Sequence, residues 1–214
     1  MNSKLRILND CSTSLVHDLL RDSGLEDFTL PNRITALLPS KTICGPAFTF
    51  DGEIVSGASK KEVISRWMRL LDCCLPGQIW TSQPNSHEVA QMGGLSAQIL
   101  MSKGVLGCII DGALRDSDEI IKLVFPCWRI CHTPRDIFDG FLPSNHNIPI
   151  KIGDVLIEPG DWLHADLDGI VRIPLRHLDD IVAQATDAKN NEKKIQASIS
   201  AGVDPLTAYQ TFKK

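Results

Sequence analysis

Nothing in the 214 residues approaches the roughly 18 consecutive apolar positions that a bilayer crossing takes, so no membrane span is expected. The opening MNSKLRILNDCSTSLVHDLL has no uninterrupted apolar core, which argues against a secretory signal. There is no GxxxxGK[ST], GxGxxG, HExxH or GxSxG, so phosphate-cradling loops, zincins and serine hydrolases lose their usual signatures. The six histidines, at 17, 87, 132, 146, 164 and 177, include no pair at helical i, i+4 spacing, which leaves a histidine metal site unsupported. The net charge of -4 gives no electrostatic reason to expect nucleic acid.

Cysteine usage points the same way. Seven cysteines with no CxxC pair suit a reducing, cytoplasmic setting. Cys127-x3-Cys131-His132 has a faint metal-ligand look, but Cys108 and Cys131 sit in apolar, strand-like runs where a free thiol acts as a small hydrophobe.

What is present is ordinary for a packed globular chain: 43% hydrophobic and 22% charged residues, with no repeat and no low-complexity tract. One domain over 1–214 is expected. Leu15, Val16, Leu19 and Leu20 recur at helical spacing within 12–23, with Ser12 or Ser14 as N-cap. Gly45 to Phe50 reads as a strand, 62–74 as a helix, 78–81 as a short strand and 128–132 as another. Pro134 to Asn147 reads as a long loop, with His132 at its mouth as a candidate substrate contact. Strand, turn and strand are expected over 148–158, further strands at 162–165 and 170–173, and a closing helix from about Leu175 to Ser200 with its apolar stripe at Leu178, Ile181 and Val182.

The most informative stretch runs from Gly93 to Glu119. Gly93 and Gly94 precede a run of helix formers, Leu95 to Lys103, so the first amides of that helix would point outward and favour an anion. Val105 to Ile110 is apolar enough for a strand covered on both faces, and it delivers the turn Asp111-Gly112. Asp111 is expected to fix that turn. Arg115, Asp116, Asp118 and Glu119 follow at once. A cation for an anionic oxygen, carboxylates for a divalent metal and outward amides would then meet at one strand end.

These residues carry a resemblance. Gly94, twenty residues, Arg115-Asp116, two residues and Glu119 resemble the G-x20-R-D-x2-E/D pattern of the RraA-like family, which includes the 4-hydroxy-4-methyl-2-oxoglutarate aldolases. Gly104-Val105, Gly107 and Ile110-Asp111-Gly112-Ala113 match GVxGxVVDGAxRD, and 14–20, 45–49, 158–161 and 166–171 are similar to further family segments.

The resemblance implies an α/β chain with a single-domain swivelling β/β/α fold and flanking helices, assembled as a homotrimer or as a hexamer of two trimers. It implies a divalent cofactor, Mg2+ or Mn2+, and cleavage of 4-hydroxy-2-oxo acids to pyruvate, or decarboxylation of oxaloacetate, through a pyruvate enolate. By the same resemblance Asp116 ligates the metal, and Glu119 supports it from outside the directly bound ligands or reaches it through water. Arg115 is the catalytic group on the 2-oxo oxygen, and the amides of Gly93, Gly94, Leu95 and Ser96 hold the substrate carboxylate. Glu192 resembles a glutamate that reaches a neighbouring subunit's site. Gly94 departs from family members that carry an acid at that position, which leaves the proton-abstracting base of the aldol cleavage without an owner. The other reading in the same family is a non-catalytic protein that binds a ribonuclease. A quinone methyltransferase label is also attached to the family, but no S-adenosylmethionine glycine motif occurs here.

Overall fold

The computed structural model describes residues 3–212. In chain order they form α1 (Ser3–Asn9), α2 (Thr13–Asp22), β1 (Thr35–Ala36), β2 (Ile43–Ile54), α3 (Lys60–Cys73), β3 (Ile79–Gln83), α4 (Gly94–Ser102), β4 (Gly107–Ile110), β5 (Ala113–Leu114) and α5 (Ser117–Leu123). After these come β6 (Cys127–Arg129), β7 (Cys131–His132), β8 (Phe141–His146), β9 (Ile150–Ile152), β10 (Val155–Ile157), β11 (Trp162–Ala165), β12 (Ile170–Ile173), α6 (Leu178–Ser200) and α7 (Pro205–Phe212). The architecture is mixed α/β, as the resemblance implies.

One long strand organises the main sheet, whose order is β1-β6-β4-β3-β2-β11-β12. The first half of β2 pairs antiparallel with β11, from Ile43↔Ala165 to Pro46↔Trp162. Its second half, Phe50 to Ile54, pairs antiparallel with β8, with a register shift between Phe50 and Gly52. The parallel run β2-β3-β4-β6 lies beyond its other edge.

Alternation along these strands sorts three apolar clusters. Phe48, Phe50, Trp80, Cys108 and Ile110 pack with Trp67, Leu70 and Leu71 of α3, Leu100 of α4 and Ile120 of α5. Ala47, Ile79, Ile109 and Trp128 pack with Ile150, Ile152, Val155 and Ile157 of the β9–β10 hairpin. β4 is buried throughout because its residues divide between these two clusters, as its unbroken apolar run requires. Cys44, Trp162 and Ile173 form the third cluster with Val16 and Leu20 of α2 and with Leu178 and Ile181 of α6.

Several expectations are met in detail. Ser12 caps α2, its hydroxyl accepting from Leu15 N at 3.1 Å. The β9–β10 hairpin turns at Gly153 as read.

Others need correction. The long loop of 134–147 instead holds a 3-10 turn, Ile137–Asp139, and β8, because its polar residues are recruited by the free edge of β2. The strand of 128–132 is two strands on different partners: β6 joins the main sheet, while β7 pairs with β5. The charged cluster after Arg115 is largely a helix, α5. In α6 the buried stripe is Leu178, Ile181 and Ala185, with Val182 only partly covered. The described residues contain no helix long and apolar enough to cross a membrane.

Candidate active site

Two backbone segments zipped side by side build the site. A parallel bridge joins Ala90 to Ala113, Gln91 N donates to Ala113 O at 3.0 Å, and Arg115 N donates to Met92 O at 2.9 Å. The residues that follow each segment, Gly93-Gly94 on one and Arg115-Asp116 on the other, are thereby pressed together. Asp116 turns the chain with φ 55°, a left-handed conformation that aspartate tolerates better than most residues, and α5 starts from it.

The glycines make this approach possible. A Cβ on Gly93 would lie 2.8 Å from Asp116 Oδ2 and 3.2 Å from Arg115 Nε. On Gly94 it would overlap the Glu119 carboxylate. Both acids of the predicted metal set therefore crowd one two-glycine step. Gly94 N donates to Asp116 Oδ2 at 3.1 Å, so one of the outward amides is occupied by protein. Leu95 and Ser96 follow in the first turn of α4, where an N–H has no acceptor within its own helix. Ser96 Oγ accepts from Trp67 Nε1 at 3.0 Å, which ties this helix start to α3.

Arg115 is held between two carboxylates. Its Nε lies 3.5 Å from Asp116 Oδ2 and one terminal nitrogen 3.4 Å from Asp136 Oδ2. Asp136 was not a predicted site residue. Its other oxygen accepts from Phe138 N at 2.9 Å, capping the 3-10 turn, so one side chain both orders a loop and faces the guanidinium. A cavity of about 130 Å³ opens here, walled by Trp67, Met68, Ile137 and Phe138, with Arg115 and Asp136 among its polar residues. Gly93, Leu95, Ser96 and Asp116 also line it, whereas Gly94 and Glu119 do not.

The donor set suits a hard cation. Among the described residues no group of three or more His, Cys, Asp or Glu could hold a metal. Magnesium, however, is commonly held through one or two carboxylates and keeps several waters, and Asp116 with Glu119 supplies such a set. In the Cys127-Cys131-His132 group, Cys127 is buried and its thiol lies 2.8 Å from that of Cys108. Asp111 pairs with Arg33 at 2.8 Å. Burial is what chiefly pushes the Cys11 pKa up, with the charges of Asp10 and then Glu192 adding to it against Lys189; Glu192 thus lies near Cys11, and it lines neither cavity beside Arg115. A separate cavity of about 270 Å³, beside Arg66, Arg69 and His146, contains no acid and none of the motif residues.

With this geometry in view, the comparisons with known proteins decide the family. Residues 13–172 match the family described as RraA-like, Aldolase/RraA. The chain belongs to the RraA-like family. It is 34% identical over 121 residues to an uncharacterized protein of Methanocaldococcus jannaschii, covering 55% of this chain and 56% of that one. It is 30% identical over 90 residues to the 4-hydroxy-4-methyl-2-oxoglutarate aldolase of Thermus thermophilus, covering 42% and 54%. The chain thus spans about half the length of these curated relatives. Among solved structures, RraAS2 of Streptomyces coelicolor, an unusual member of the RNase ES inhibitor RraA family, superposes with a TM-score of 0.79 at 26% identity over 90% of this chain and 95% of that one.

Two acids of the RraA-like signature, Asp161 and Asp166, hold the scaffold together. Asp161 accepts from Glu158 N, Leu175 N and Arg172 Nε at 2.7 to 2.9 Å, fixing the strand ends around it. Asp166 accepts from Thr13 N at 2.8 Å and Thr13 Oγ at 2.6 Å, and so holds the start of α2. Burial pushes the Asp166 pKa up, but the bonds from Thr13 and Asp168 N outweigh it and hold the carboxyl below its ordinary range. These acids are structural.

Proposed function

We propose that this RraA-like chain is a divalent-metal-dependent carbon–carbon lyase acting on small 2-oxo acids. It would cleave 4-hydroxy-2-oxo acids such as 4-hydroxy-4-methyl-2-oxoglutarate to pyruvate, decarboxylate oxaloacetate, or do both. The observation that supports this most is the seating of Arg115 and Asp116 directly on the Gly93-Gly94 helix start, at one small cavity.

In this reading the amides of Leu95 and Ser96, with the field of the α4 start, bind the substrate carboxylate. Arg115 points its guanidinium at the 2-oxo oxygen and takes up the negative charge that grows there as the carbon–carbon bond breaks. Asp116 and Glu119 hold Mg2+ or Mn2+, which when bound supplies Lewis-acid charge to the same oxygen. The apolar wall of Trp67, Met68 and Phe138 keeps water from the reacting carbon and strengthens these interactions. Pyruvate enolate is the species that both reactions share. Decarboxylation needs no base, whereas the aldol cleavage needs one that Gly94 cannot be. A homotrimer or a dimer of trimers in the cytoplasm is the setting the family resemblance suggests.

A ribonuclease-binding adaptor is the competing reading, and the description of the Streptomyces protein keeps it in play. The intact Arg115, Asp116 and Glu119 arrangement favours the enzyme. The test is pyruvate release from oxaloacetate and from 4-hydroxy-4-methyl-2-oxoglutarate, with Mg2+ or with EDTA, corrected for metal alone. Metal-dependent turnover that falls by about a hundredfold or more in Arg115→Ala and Asp116→Ala is expected. Absence of turnover above background on both substrates would favour the adaptor.

A further inference from the structure

Arg115 and Asp116 belong to two cavities. Besides the small one beside Trp67, they line an open cavity of about 340 Å³ together with Ser117, His132, Thr133 and Pro134.

The hydrogen bonds around His132 fix what Ser117 can do. Arg129 Nε, which can only donate, lies 3.1 Å from His132 Nε2, so that nitrogen carries a lone pair. Arg129 is itself held by Thr35 O at 2.8 Å and Thr35 Oγ at 2.5 Å. Burial, and after it the Arg129 charge, lower the His132 pKa, in the same direction as this geometry. Its proton is then on Nδ1, 2.8 Å from Ser117 Oγ, and this N–H donates to the hydroxyl. The Ser117 proton must turn away from the imidazole. Among the described residues no second partner takes it.

We infer that Ser117 is a specificity residue, whose O–H donates to an oxygen on the portion of the substrate beyond the bond that breaks. The small cavity takes the three-carbon 2-oxo acid end and the larger one takes the remainder. His132, pinned by Arg129, is the positioning residue that aims the hydroxyl. The substrate class narrows to 2-oxo acids extended by an oxygen-bearing group such as a second carboxylate, in preference to those with an apolar tail. This rests on the lyase reading of the same site.

The test is calorimetric binding of pyruvate and of 2-oxoglutarate, a longer acid that lacks the 4-hydroxyl, to the full chain with Mg2+. Ser117→Ala is expected to weaken 2-oxoglutarate about five- to tenfold, the loss of one good hydrogen bond, and to leave pyruvate within about twofold. Ser117→Thr keeps the hydroxyl and should keep both affinities. His132→Ala should reproduce the selective loss. His132→Gln should restore it, since its amide can accept from Arg129 and donate to Ser117. Equal weakening of the two probes, or no weakening of either, overturns the role of Ser117 while leaving the lyase reading standing. Failure of the unaltered protein to bind pyruvate overturns both.

Discussion

Gly94 and Glu119 share one space: the Glu119 carboxylate occupies the volume that a side chain on Gly94 would need, and Glu119 Cδ and Cβ would lie only 3.0 and 3.1 Å from a Cβ built there. The glycine that departs from acid-bearing family members is therefore matched by an acid that reaches the same spot from α5. Gly94→Ala should fold normally, because alanine suits the first turn of a helix, but it must drive Glu119 aside. We expect Mn2+ affinity to fall several-fold with a melting temperature within about 2 °C of the parent, as ΔΔG stays near 1 kcal/mol or less. Unchanged Mn2+ binding, followed by titration calorimetry, would remove Glu119 from the metal set.

Asp136 makes a second prediction, because in the proposed lyase it would compete with substrate for Arg115. Its carboxylate lies 3.4 Å from the guanidinium, in the cavity where an anionic ligand would sit. Asp136→Asn retains the oxygen that caps Phe138 N and removes the charge. Oxalate should bind more tightly, by about three- to tenfold, since a screened carboxylate at this range is worth on the order of 1 kcal/mol. Weaker oxalate binding would mean that Asp136 serves chiefly to aim Arg115.

Much of this was legible in the sequence, for reasons that can be named. Helix α2 has its cap and apolar spacing within a dozen residues, and β4 is an unbroken apolar run, so both are written locally. The glycine, arginine and aspartate of the site were readable through their family spacing. Helix α5 was not, because of its residues only Ile120 is buried and Asp118, Glu119 and Lys122 dominate its composition. Helices α1 and α7 went unread for a similar want of pattern. Strand β8 carries Pro143, Ser144, Asn145 and His146 and becomes a strand only through pairing with β2, roughly ninety residues earlier. Asp136 escaped notice because nothing local marks it. Its one signal is a cap-type aspartate after Pro134, and its role depends on Arg115 being folded against it.

The conformation of Val124 offers a stability test away from the chemistry. It ends α5 with φ 56°, a left-handed backbone that a β-branched side chain adopts at a cost of about 1–2 kcal/mol. The side chain is about half exposed, so little packing compensates. Val124→Gly relieves the strain and gives back part of the gain through a freer unfolded chain. A net stabilisation on the order of 0.5–1 kcal/mol is expected, seen as a rise of about 2 °C in melting temperature. A fall would show that the Val124 side chain contributes more in packing than its exposure suggests.

His164 should make the protein acid-sensitive well above the carboxylate range. It sits on β11 opposite Cys44 and Val171, is fully buried, and neither ring nitrogen has a hydrogen-bond partner among the described residues. Burial, opposed only weakly by the Asp166 charge, lowers its pKa from 6.5 to about 4. The folded pKa lies below the unfolded one, so the unfolded chain takes up the proton first as pH falls. The stability that the neutral ring preserves is complete above about pH 6.5 and is lost progressively toward pH 4, about 3 kcal/mol in all and about 2 kcal/mol of it by pH 5. His164→Leu removes both the proton site and the unpaired nitrogens, so it should match or exceed the parent at pH 7.5. Urea midpoints at pH 7.5 and 5.0 separate the two cases. The parent should lose markedly more than the variant on acidification, and parallel losses would show that His164 stays uncharged in both states or finds water when folded.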